Sequence, residues 1–390
     1  MFFTVGTFVI FATIIAWVIT LVVRRKTNEV DQVLEDWEVD YGPQRFSYIQ
    51  LYKATDGFKR DNIVGTGGFG IVYRGVITVN GYTKEIAVKR IKRDIKDGLK
   101  DFVSEIVSIS RLRHRNLIEL LGYCRQRGEL LLVYDFMPNG SLDRYLFGKE
   151  NLMNWRQRFE IIKGVAAGLV YLHEEWAQVV VHRDIKSANV LLDRDLKSKL
   201  SDFGLARLYD HGGDSQTTSV VGTFGYLAPE LTKTGKATTM TDVFAFGSML
   251  LEVVSGRRPS DTTFDEAKGE YLLTMDWALE CWKRGMLLQV VDEKLKEDYV
   301  EEEVYKVVQL AVLCSHNNPA MRLTIRQVMG ILEGDVSLPP MSPIDLSSAC
   351  MAVKQLDGFD GFSSRPISQT SQFEITSDIQ SSPAEIDSTN

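Results

Sequence analysis

The stretch VVVHRDIKSANVLLD, residues Val179–Asp193, places a polar cluster between two apolar runs. The cluster consists of His182, Arg183, Asp184, Lys186 and Asn189. Unpaired charges are costly in a buried segment, so a purely structural strand would not carry so many. The apolar runs predict two strands that hold the polar loop at a cleft. The loop therefore offers an acid, a base and an amide for chemistry.

Length and composition predict a chain that is mostly folded and does not bind nucleic acid. The 390 residues suffice for one large or two ordinary domains. With 44% hydrophobic and 25% charged residues, most of the chain can bury a core. A net charge of -7 argues against a nucleic-acid-binding protein, which would carry a basic excess. The four cysteines show neither metal-ligand spacing nor a disulfide pattern, which favours a reducing compartment.

The N-terminal residues predict a membrane anchor. No charged residue occurs from Phe2 to Val23, and three basic residues follow at once. A helix of this length spans roughly 33 Å, against roughly 30 Å for the hydrocarbon core of a bilayer. We therefore expect a transmembrane helix at residues 1–23 that contacts lipid through residues 2–23, with the C-terminal side cytoplasmic. The alternative is a cleaved signal peptide, which the long apolar run and the missing N-terminal basic residue disfavour.

The remaining sequence predicts an α+β architecture of two unlike lobes. Residues 24–57 are interpreted as a juxtamembrane segment, in which folded sequence begins near Phe46. Strand-like periodicity from Ile63 to Lys92 precedes helical periodicity further along the chain, and strands followed by helices indicate this fold class. Residues 335–390 are rich in Ser, Thr and Pro, which predicts a disordered tail.

A glycine-rich stretch, GTGGFGIVY at residues Gly65–Tyr73, lies within the strand-like part. Glycine lets the backbone approach phosphate oxygens, so the stretch is a candidate phosphate-binding loop. The same pattern occurs in dinucleotide-binding folds and in simple turns. A dinucleotide fold would place a helix after the glycines, whereas Ile71 and Tyr73 continue a strand. That difference favours a flap over phosphates.

Two charged residues occur where apolar residues are expected. Lys89 shares a strand face with Ala87 and Ile91, and Glu105 lies on a helical stripe with Phe102 and Ile109. A buried charge is costly unless it is paired, so we expect an ion pair between Lys89 and Glu105. The alternatives are an edge-strand lysine that reaches water and a surface carboxylate.

The order of five motifs then reveals a resemblance. From about Phe58 to Glu333 the chain carries GTGGFGIVY, AVK, HRDIKSAN, DFG and APE in turn. HRDIKSAN matches the H-R-D-x-x-x-x-N pattern of a protein-kinase catalytic loop. The chain thus resembles a eukaryotic protein kinase. The resemblance implies a bilobal kinase domain at residues 58–334, with a β-rich N-lobe at about 58–136 and a helical C-lobe at about 137–334.

The resemblance also implies a transferase that uses ATP and Mg²⁺, with Mn²⁺ as an alternative ion, to phosphorylate protein substrates. Asp184 would accept or orient the proton of the substrate hydroxyl, and Lys186 would neutralise the migrating phosphoryl charge. Asn189 and Asp202 would bind the metal ion. The residues implied in nucleotide binding are Val64, Gly65, Thr66, Gly67, Gly68, Phe69, Gly70, Ile71, Val72, Ala87, Lys89, Tyr134, Asp135 and Met137. Among them, Tyr134 would be the gatekeeper behind adenine.

Further residues are assigned regulatory or structural roles. Arg183 needs an anionic partner, which phosphate on the activation segment would supply. The candidate phosphorylation sites are Ser215, Thr217, Thr218 and Ser219. Thr223 is expected to contact Asp184 and Lys186, and Arg322 is expected to pair with Glu230. By resemblance, Lys186 and Thr223 favour a Ser/Thr kinase, with dual specificity as the alternative.

The finer resemblance is to plant L-type (legume-lectin) lectin receptor kinases, through YGPQRFSYIQLYKATDGF, YLHEEWAQVVVHRD, LARLYDHG and DVFAFG. It implies a single-pass plasma-membrane receptor with a cytoplasmic kinase domain, able to form homo- or hetero-oligomers. The lectin ectodomain of that family is not expected in this sequence. Phe244 stands where tryptophan is commoner, without an expected catalytic consequence. Two alternative functions are a catalytically dead scaffold, which would lack a catalytic lysine, aspartate or asparagine, and a carbohydrate-binding receptor.

Overall fold

The computed structural model describes residues 14, 15, 17, 42–68, 70–79, 81–91, 98–126, 128–148, 153–211 and 221–339. They divide between two compact units, Met1–Gly140 with Leu191–Gly204, and Ser141–Val190 with Leu205–Asn390. The strands are β1 (Gln44–Arg45), β2 (Ile63–Thr66), β3 (Gly70–Val79), β4 (Tyr82–Ile91), β5 (Leu120–Gln126), β6 (Glu129–Asp135), β7 (Val179–Val181), β8 (Val190–Leu192), β9 (Ser198–Leu200), β10 (Arg207–Tyr209), β11 (Thr262–Asp265) and β12 (Glu270–Leu273). The α-helices are α1 (Tyr48–Ala54), α2 (Gly98–Ile109), α3 (Asp143–Phe147), α4 (Trp155–Val170), α5 (Pro229–Thr234), α6 (Thr239–Ser255), α7 (Thr274–Lys283), α8 (Glu301–Cys314) and α9 (Ile325–Glu333).

The first unit is built on a six-stranded sheet with the order β1-β5-β6-β4-β3-β2. All neighbours are antiparallel except β1 and β5, which are parallel. The apolar side chains of β4, β5 and β6 form the core, with Ile86, Val88 and Leu131 fully buried. The strand pattern predicted after Ile63 is therefore present, and it carries Lys89 near the middle of the sheet.

The packed structure of this unit begins before residue 58, the predicted start of the kinase domain. Strand β1 and helix α1 both fall in the predicted juxtamembrane segment, and Phe46 and Leu51 are buried in the sheet's core. Ser47 and Gln50 form a capping box that starts α1. A side chain at Gly122 in β5 would overlap the carbonyl oxygen of Gln44, so the sheet has room for β1 only because position 122 is glycine.

The unit also contains residues that the predicted N-lobe, 58–136, leaves out. The backbone N–H of Leu200 donates to the carbonyl of Asn116, and that of Ile118 donates to the carbonyl of Leu200. These two bonds attach β9 and the following segment to the residues before β5. The segment after β9 therefore brings Asp202 into the first unit.

The second unit is mostly helical. Helix α6 is buried along nearly its whole length and packs against α8 and α4, while α9 packs against α4. A capping box between Asn154 and Gln157 starts α4. The predicted apolar stripe of α4 is buried along its length, and it consists of Trp155, Phe159, Ile162, Ala166 and Leu169.

The prediction for the membrane anchor is not tested by the structure. Residues 1–23 lie outside the described part of the chain except for Ile14, Ile15 and Trp17, which are helical and exposed. Within the described ranges, no helix combines the length and apolar character needed to cross a bilayer. The predicted tail, residues 335–390, is described only as far as residue 339.

Candidate active site

In the first unit, Lys89 lies between two carboxylates. Its Nζ atom is 2.9 Å from Oε2 of Glu105 on α2 and 2.8 Å from Oδ1 of Asp202. The lysine and Glu105 are buried. The Lys89–Glu105 ion pair expected from the sequence is thus present, and Asp202 is a second partner that the sequence did not reveal.

Electrostatics keep this lysine charged. Burial alone would lower the pKa of Lys89, but the carboxylates of Asp202 and Glu105 outweigh it and raise that pKa above its ordinary value. The lysine remains an ammonium group at neutral pH and can neutralise part of the charge of a phosphate. Asp202 has a φ of +66°, a left-handed conformation that is strained for a residue other than glycine. Such strain is concentrated at functional sites.

The glycine-rich stretch connects β2 and β3, as the flap interpretation requires. Val72 lies opposite Lys89 in the β3–β4 register, so the turn and the lysine belong to adjacent strands. A side chain at Gly70 would overlap the carbonyl oxygen of Arg90, which explains glycine at this position. The structure describes every predicted nucleotide-binding residue of this unit except Phe69, which lies outside the described residues.

Tyr134 is the penultimate residue of β6 and has a buried side chain, and its hydroxyl donates a hydrogen bond to Oε1 of Glu105. Burial and the neighbouring carboxylate raise the pKa of Tyr134 well above its ordinary value, so the phenol stays protonated and serves as a donor. The predicted gatekeeper is therefore joined to the Lys89–Glu105 pair. Asp135 is the last residue of β6, and Met137 lies two residues further along the chain.

In the second unit, the quoted polar loop lies between β7 and β8, and its polar groups converge on Asp184. Nδ2 of Asn189 donates to the backbone carbonyl and to Oδ2 of Asp184, both at 2.8 Å. Nζ of Lys186 is 2.8 Å from the same Oδ2 atom. Thr223 Oγ1 donates to Oδ1 of Asp184 at 2.9 Å and accepts from Lys186 Nζ at 2.8 Å. The contacts expected for Thr223 are present, and Asp184 is held by three side chains.

A buried carboxylate in α6 fixes the backbone of the same loop. Asp242 Oδ2 accepts the N–H of His182 at 2.7 Å, and Oδ1 accepts the N–H of Arg183 at 2.8 Å. His173 Nε2 lies 3.0 Å from Oδ2. Asp242 received no role from the sequence. The sequence signal for Asp242 is that it and Glu252 are the two charged residues in a helix that is mostly apolar.

Comparison with known proteins identifies this arrangement. Residues 58–331 match the family model described as protein kinase domain. The chain belongs to the protein kinase family. It is 56% identical over 344 residues to L-type lectin-domain containing receptor kinase IV.2 of Arabidopsis thaliana, covering 88% of this chain and 50% of the relative. It is 52% identical to L-type lectin-domain containing receptor kinase SIT2 of Oryza sativa subsp. japonica, covering 90% and 52%. The chain thus spans about half the length of the curated relatives it matches.

The kinase family implies a divalent metal ion, and two side chains present suit one. Mg²⁺ prefers oxygen ligands, and it is usually bound by one or two carboxylates together with substrate phosphates. Asp202 provides a carboxylate. Asn189 uses its amide nitrogen to bind Asp184, so its carbonyl oxygen is the atom that can bind a cation. The carboxylate of Asp202 and the amide oxygen of Asn189 are therefore each chemically suited to bind a divalent cation.

Arg183 of the kinase motif has a basic neighbour. Burial and the positive charge of Arg207 both lower the pKa of Arg183. The side chain of Arg183 also donates to the backbone carbonyl of Leu205 at 3.3 Å, and its φ of +72° is left-handed. The phosphorylation candidates Ser215, Thr217, Thr218 and Ser219 lie outside the described residues.

The glutamate of the APE motif forms the predicted pair with Arg322. Nη1 and Nη2 of Arg322 lie 2.6 and 2.8 Å from the two carboxylate oxygens of Glu230. The guanidinium carbon of Arg322 is 5.0 Å from the ring centroid of Phe244. Phe244 therefore takes the place of the commoner tryptophan as the aromatic surface beneath this arginine.

Proposed function

We propose that this chain transfers the γ-phosphate of ATP to Ser and Thr hydroxyls of proteins. The observation that carries the proposal is the set of contacts around Asp184, to Asn189, Lys186 and Thr223. A carboxylate held in this way can accept or orient the proton of a substrate hydroxyl. The residues required of an active kinase are present, which argues against a catalytically dead scaffold.

Phosphoryl transfer depends on positioning and charge neutralisation more than on covalent chemistry by the protein. Lys89, kept charged by Glu105 and Asp202, would contact the α- and β-phosphates. The backbone of the glycine-rich turn would cover the phosphates, and the backbone of Asp135 and Met137 would bond the adenine edge. Lys186 would neutralise the migrating phosphoryl group. A Mg²⁺ ion held by Asp202 and Asn189 would supply further positive charge to the phosphates.

The preference for Ser and Thr rests on the link between Lys186 and Thr223. Thr223 holds the lysine and the catalytic carboxylate together, and this link distinguishes the Ser/Thr class by family resemblance. The relatives are plant receptor kinases, which agrees with this class.

Activation by phosphorylation is the regulatory part of the proposal. Arg183 and Arg207 bring two guanidinium groups close enough for one to lower the pKa of the other. A phosphate at position 215, 217, 218 or 219 would form charge-assisted hydrogen bonds with such a pair and order the activation segment. Replacing Thr217, Thr218 and Ser219 by alanine is then expected to lower activity, and undiminished activity would contradict the idea.

The location of the protein is a further part of the proposal. The apolar residues 2–23 and the basic residues after them support a single membrane span with the kinase domain in the cytoplasm. Receptor-type signalling agrees with the names of the relatives, which are receptor kinases. A plasma-membrane location and homo- or hetero-oligomers belong to the same proposal. Removal of residues 1–26 is expected to move the protein from the membrane fraction to the soluble fraction.

A direct phosphotransfer assay tests the activity. Purified protein with Mg²⁺, radiolabelled ATP and a general protein substrate should yield phosphoserine and phosphothreonine. Asp184→Asn keeps the size of the side chain and removes the base, so it should abolish the transfer, and a cooperative unfolding transition checks that the variant is folded. Equal activity of both proteins would refute the proposal.

A further inference from the structure

Glu252 is a buried carboxylate that none of the roles above uses. It lies ten residues after Asp242 on α6 and is 1% exposed. Complete burial of a carboxylate requires strong hydrogen-bond partners. Its partners come from the two segments that surround Asp184.

One partner is the residue directly after Lys186. Glu252 Oε1 accepts the hydroxyl of Ser187 at 3.0 Å, and Oε2 accepts the backbone N–H of Ser187 at 3.3 Å. Ser187 begins the short 3-10 turn that ends at Asn189. The carboxylate therefore fixes the backbone between Lys186 and Asn189, which are two of the three side chains that hold Asp184.

The other partner is Tyr226, which lies in the segment that follows Thr223. Its hydroxyl forms a hydrogen bond with the carboxylate of Glu252. The backbone N–H of Tyr226 also donates to the carbonyl of Thr223 at 3.1 Å. The position of Thr223 is thus tied to Tyr226, and through it to Glu252.

We propose that Glu252 is a positioning residue, which joins the turn after Lys186 to the segment after Thr223 and thereby sets the geometry of Lys186, Thr223 and Asn189 around Asp184. This inference rests on the proposed kinase activity. Glu252 does not contact a substrate, because its two oxygens are buried and are bonded by Ser187 and Tyr226. Its effect falls on the chemical step, since a small displacement of catalytic groups slows that step without weakening nucleotide binding.

Glu252→Gln keeps the size of the side chain and replaces one acceptor oxygen by a donor group that faces other donors. We expect kcat for peptide phosphorylation to fall about tenfold, with the KM for ATP unchanged. A matched control is Glu303→Gln, because Glu303 accepts the indole N–H of Trp155 in the same unit. The control should change stability but not kcat. A rise in the KM for the peptide at constant kcat would instead make Glu252 a substrate contact and overturn the proposal.

A double-mutant cycle tests the connection itself. Ser187→Ala and Tyr226→Phe each remove one bond to Glu252, so in wild-type background each should lower kcat. In a Glu252→Gln background the same changes should have much smaller effects, because the connection is already broken. Strictly additive effects would show that the three residues act independently and would overturn the proposal.

A measurement without catalysis separates this inference from the proposed function. Hydrogen exchange of the backbone amides at 185–189 and 223–228 should be faster in Glu252→Gln than in wild type, with α8 unchanged. If wild type transfers no phosphate but these amides respond together, the proposed function fails, whereas the structural connection through Glu252 is confirmed. If wild type is active and exchange and kcat are both unchanged, the positioning role fails alone.

Discussion

The hydroxyl of Tyr134 donates to the carboxylate of Glu105, the same carboxylate that holds Lys89. The residue next to the expected adenine position and the lysine expected to bind phosphate thus share one partner. We therefore expect nucleotide binding to be coupled to the state of Glu105. Removal of the hydroxyl should affect both the stability of the first unit and its affinity for ATP.

Tyr134→Phe leaves the buried Glu105 carboxylate without one of its donors, so we expect unfolding free energy to fall by about 1.5 kcal/mol. The KM for ATP should rise, because Lys89 is held less firmly. Urea denaturation and steady-state kinetics measure the two effects. Tyr82→Phe is the control, since Tyr82 is 81% exposed at a hairpin tip. An unchanged KM with full stability would show that the bond is unimportant in solution.

We expect phosphoryl transfer to require the hydroxyl of Thr223 and not its methyl group. Thr223→Ala removes the bonds to Asp184 and Lys186, and we expect kcat to fall about a hundredfold because the catalytic groups shift. Thr223→Ser keeps both bonds and should retain most of the activity. Comparison of kcat for the three proteins checks the prediction. Equal loss in both variants would mean that packing, and not the hydroxyl, is required.

The charged residues show how far the sequence alone could predict this site. Lys89 and Glu105 each lie on an apolar face, and two such charges satisfy each other, so their pairing could be inferred. Asp184, Asn189 and Thr223 were assigned from motifs, and the structure brings them together. The contact between Asp202 and Lys89 could not be predicted, because it depends on how β9 attaches to a segment more than eighty residues earlier.

The same limit applies to the fold. Alternating and helical periodicity predicted the strands after Ile63 and the buried stripe of α4, because local pattern determines which face is apolar. The docking of β1 and α1 on the sheet was not predicted beyond a folded start near Phe46. Asp242 and Glu252 were missed, because their partners in the polar loop lie 60 and 65 residues away and only tertiary structure brings them together.

Gly122→Ala tests whether β1 is part of the sheet in solution. The added methyl group would overlap the carbonyl oxygen of Gln44, so we expect a loss of about 2 kcal/mol in unfolding free energy. Phe46→Ala should weaken the docking of the same strand by removing its buried ring. A Gly122→Ala protein with wild-type stability would show that β1 does not occupy this position.

Arg322 should contribute strongly to stability. Arg322→Met leaves Glu230 without its two guanidinium bonds, and we expect a loss of about 4 kcal/mol. Arg326→Met is the matched control, because Arg326 pairs with Glu174 at an exposed position and should cost less than about 1 kcal/mol. Denaturant unfolding measures both. Similar losses in the two variants would contradict the assignment of the Glu230–Arg322 pair as a buried one.

Glu252 should also make stability depend on pH. Burial raises the pKa of Glu252 from its ordinary value of 4.5 to about 7. Hydrogen bonds from Tyr226 and Ser187 oppose this rise in pKa, and the carboxylate of Asp143 contributes to it. Tyr226 itself faces Asp184 and Arg258. Between pH 4.5 and 7 the folded protein binds the proton that the unfolded chain releases, so this group makes stability fall as pH rises through that window.

The full contribution of this shift is about 3 kcal/mol. Other carboxylates titrate in the same window, so the difference between wild type and Glu252→Gln isolates the one group. The unfolding free energy of wild type, relative to that of the variant, should decrease from pH 4.5 to pH 7 and should not change further above pH 7. Denaturant unfolding at several pH values measures the difference. A difference that does not change with pH, or one that changes in the opposite direction, would show that the carboxylate is ionised throughout because its hydrogen bonds outweigh its burial.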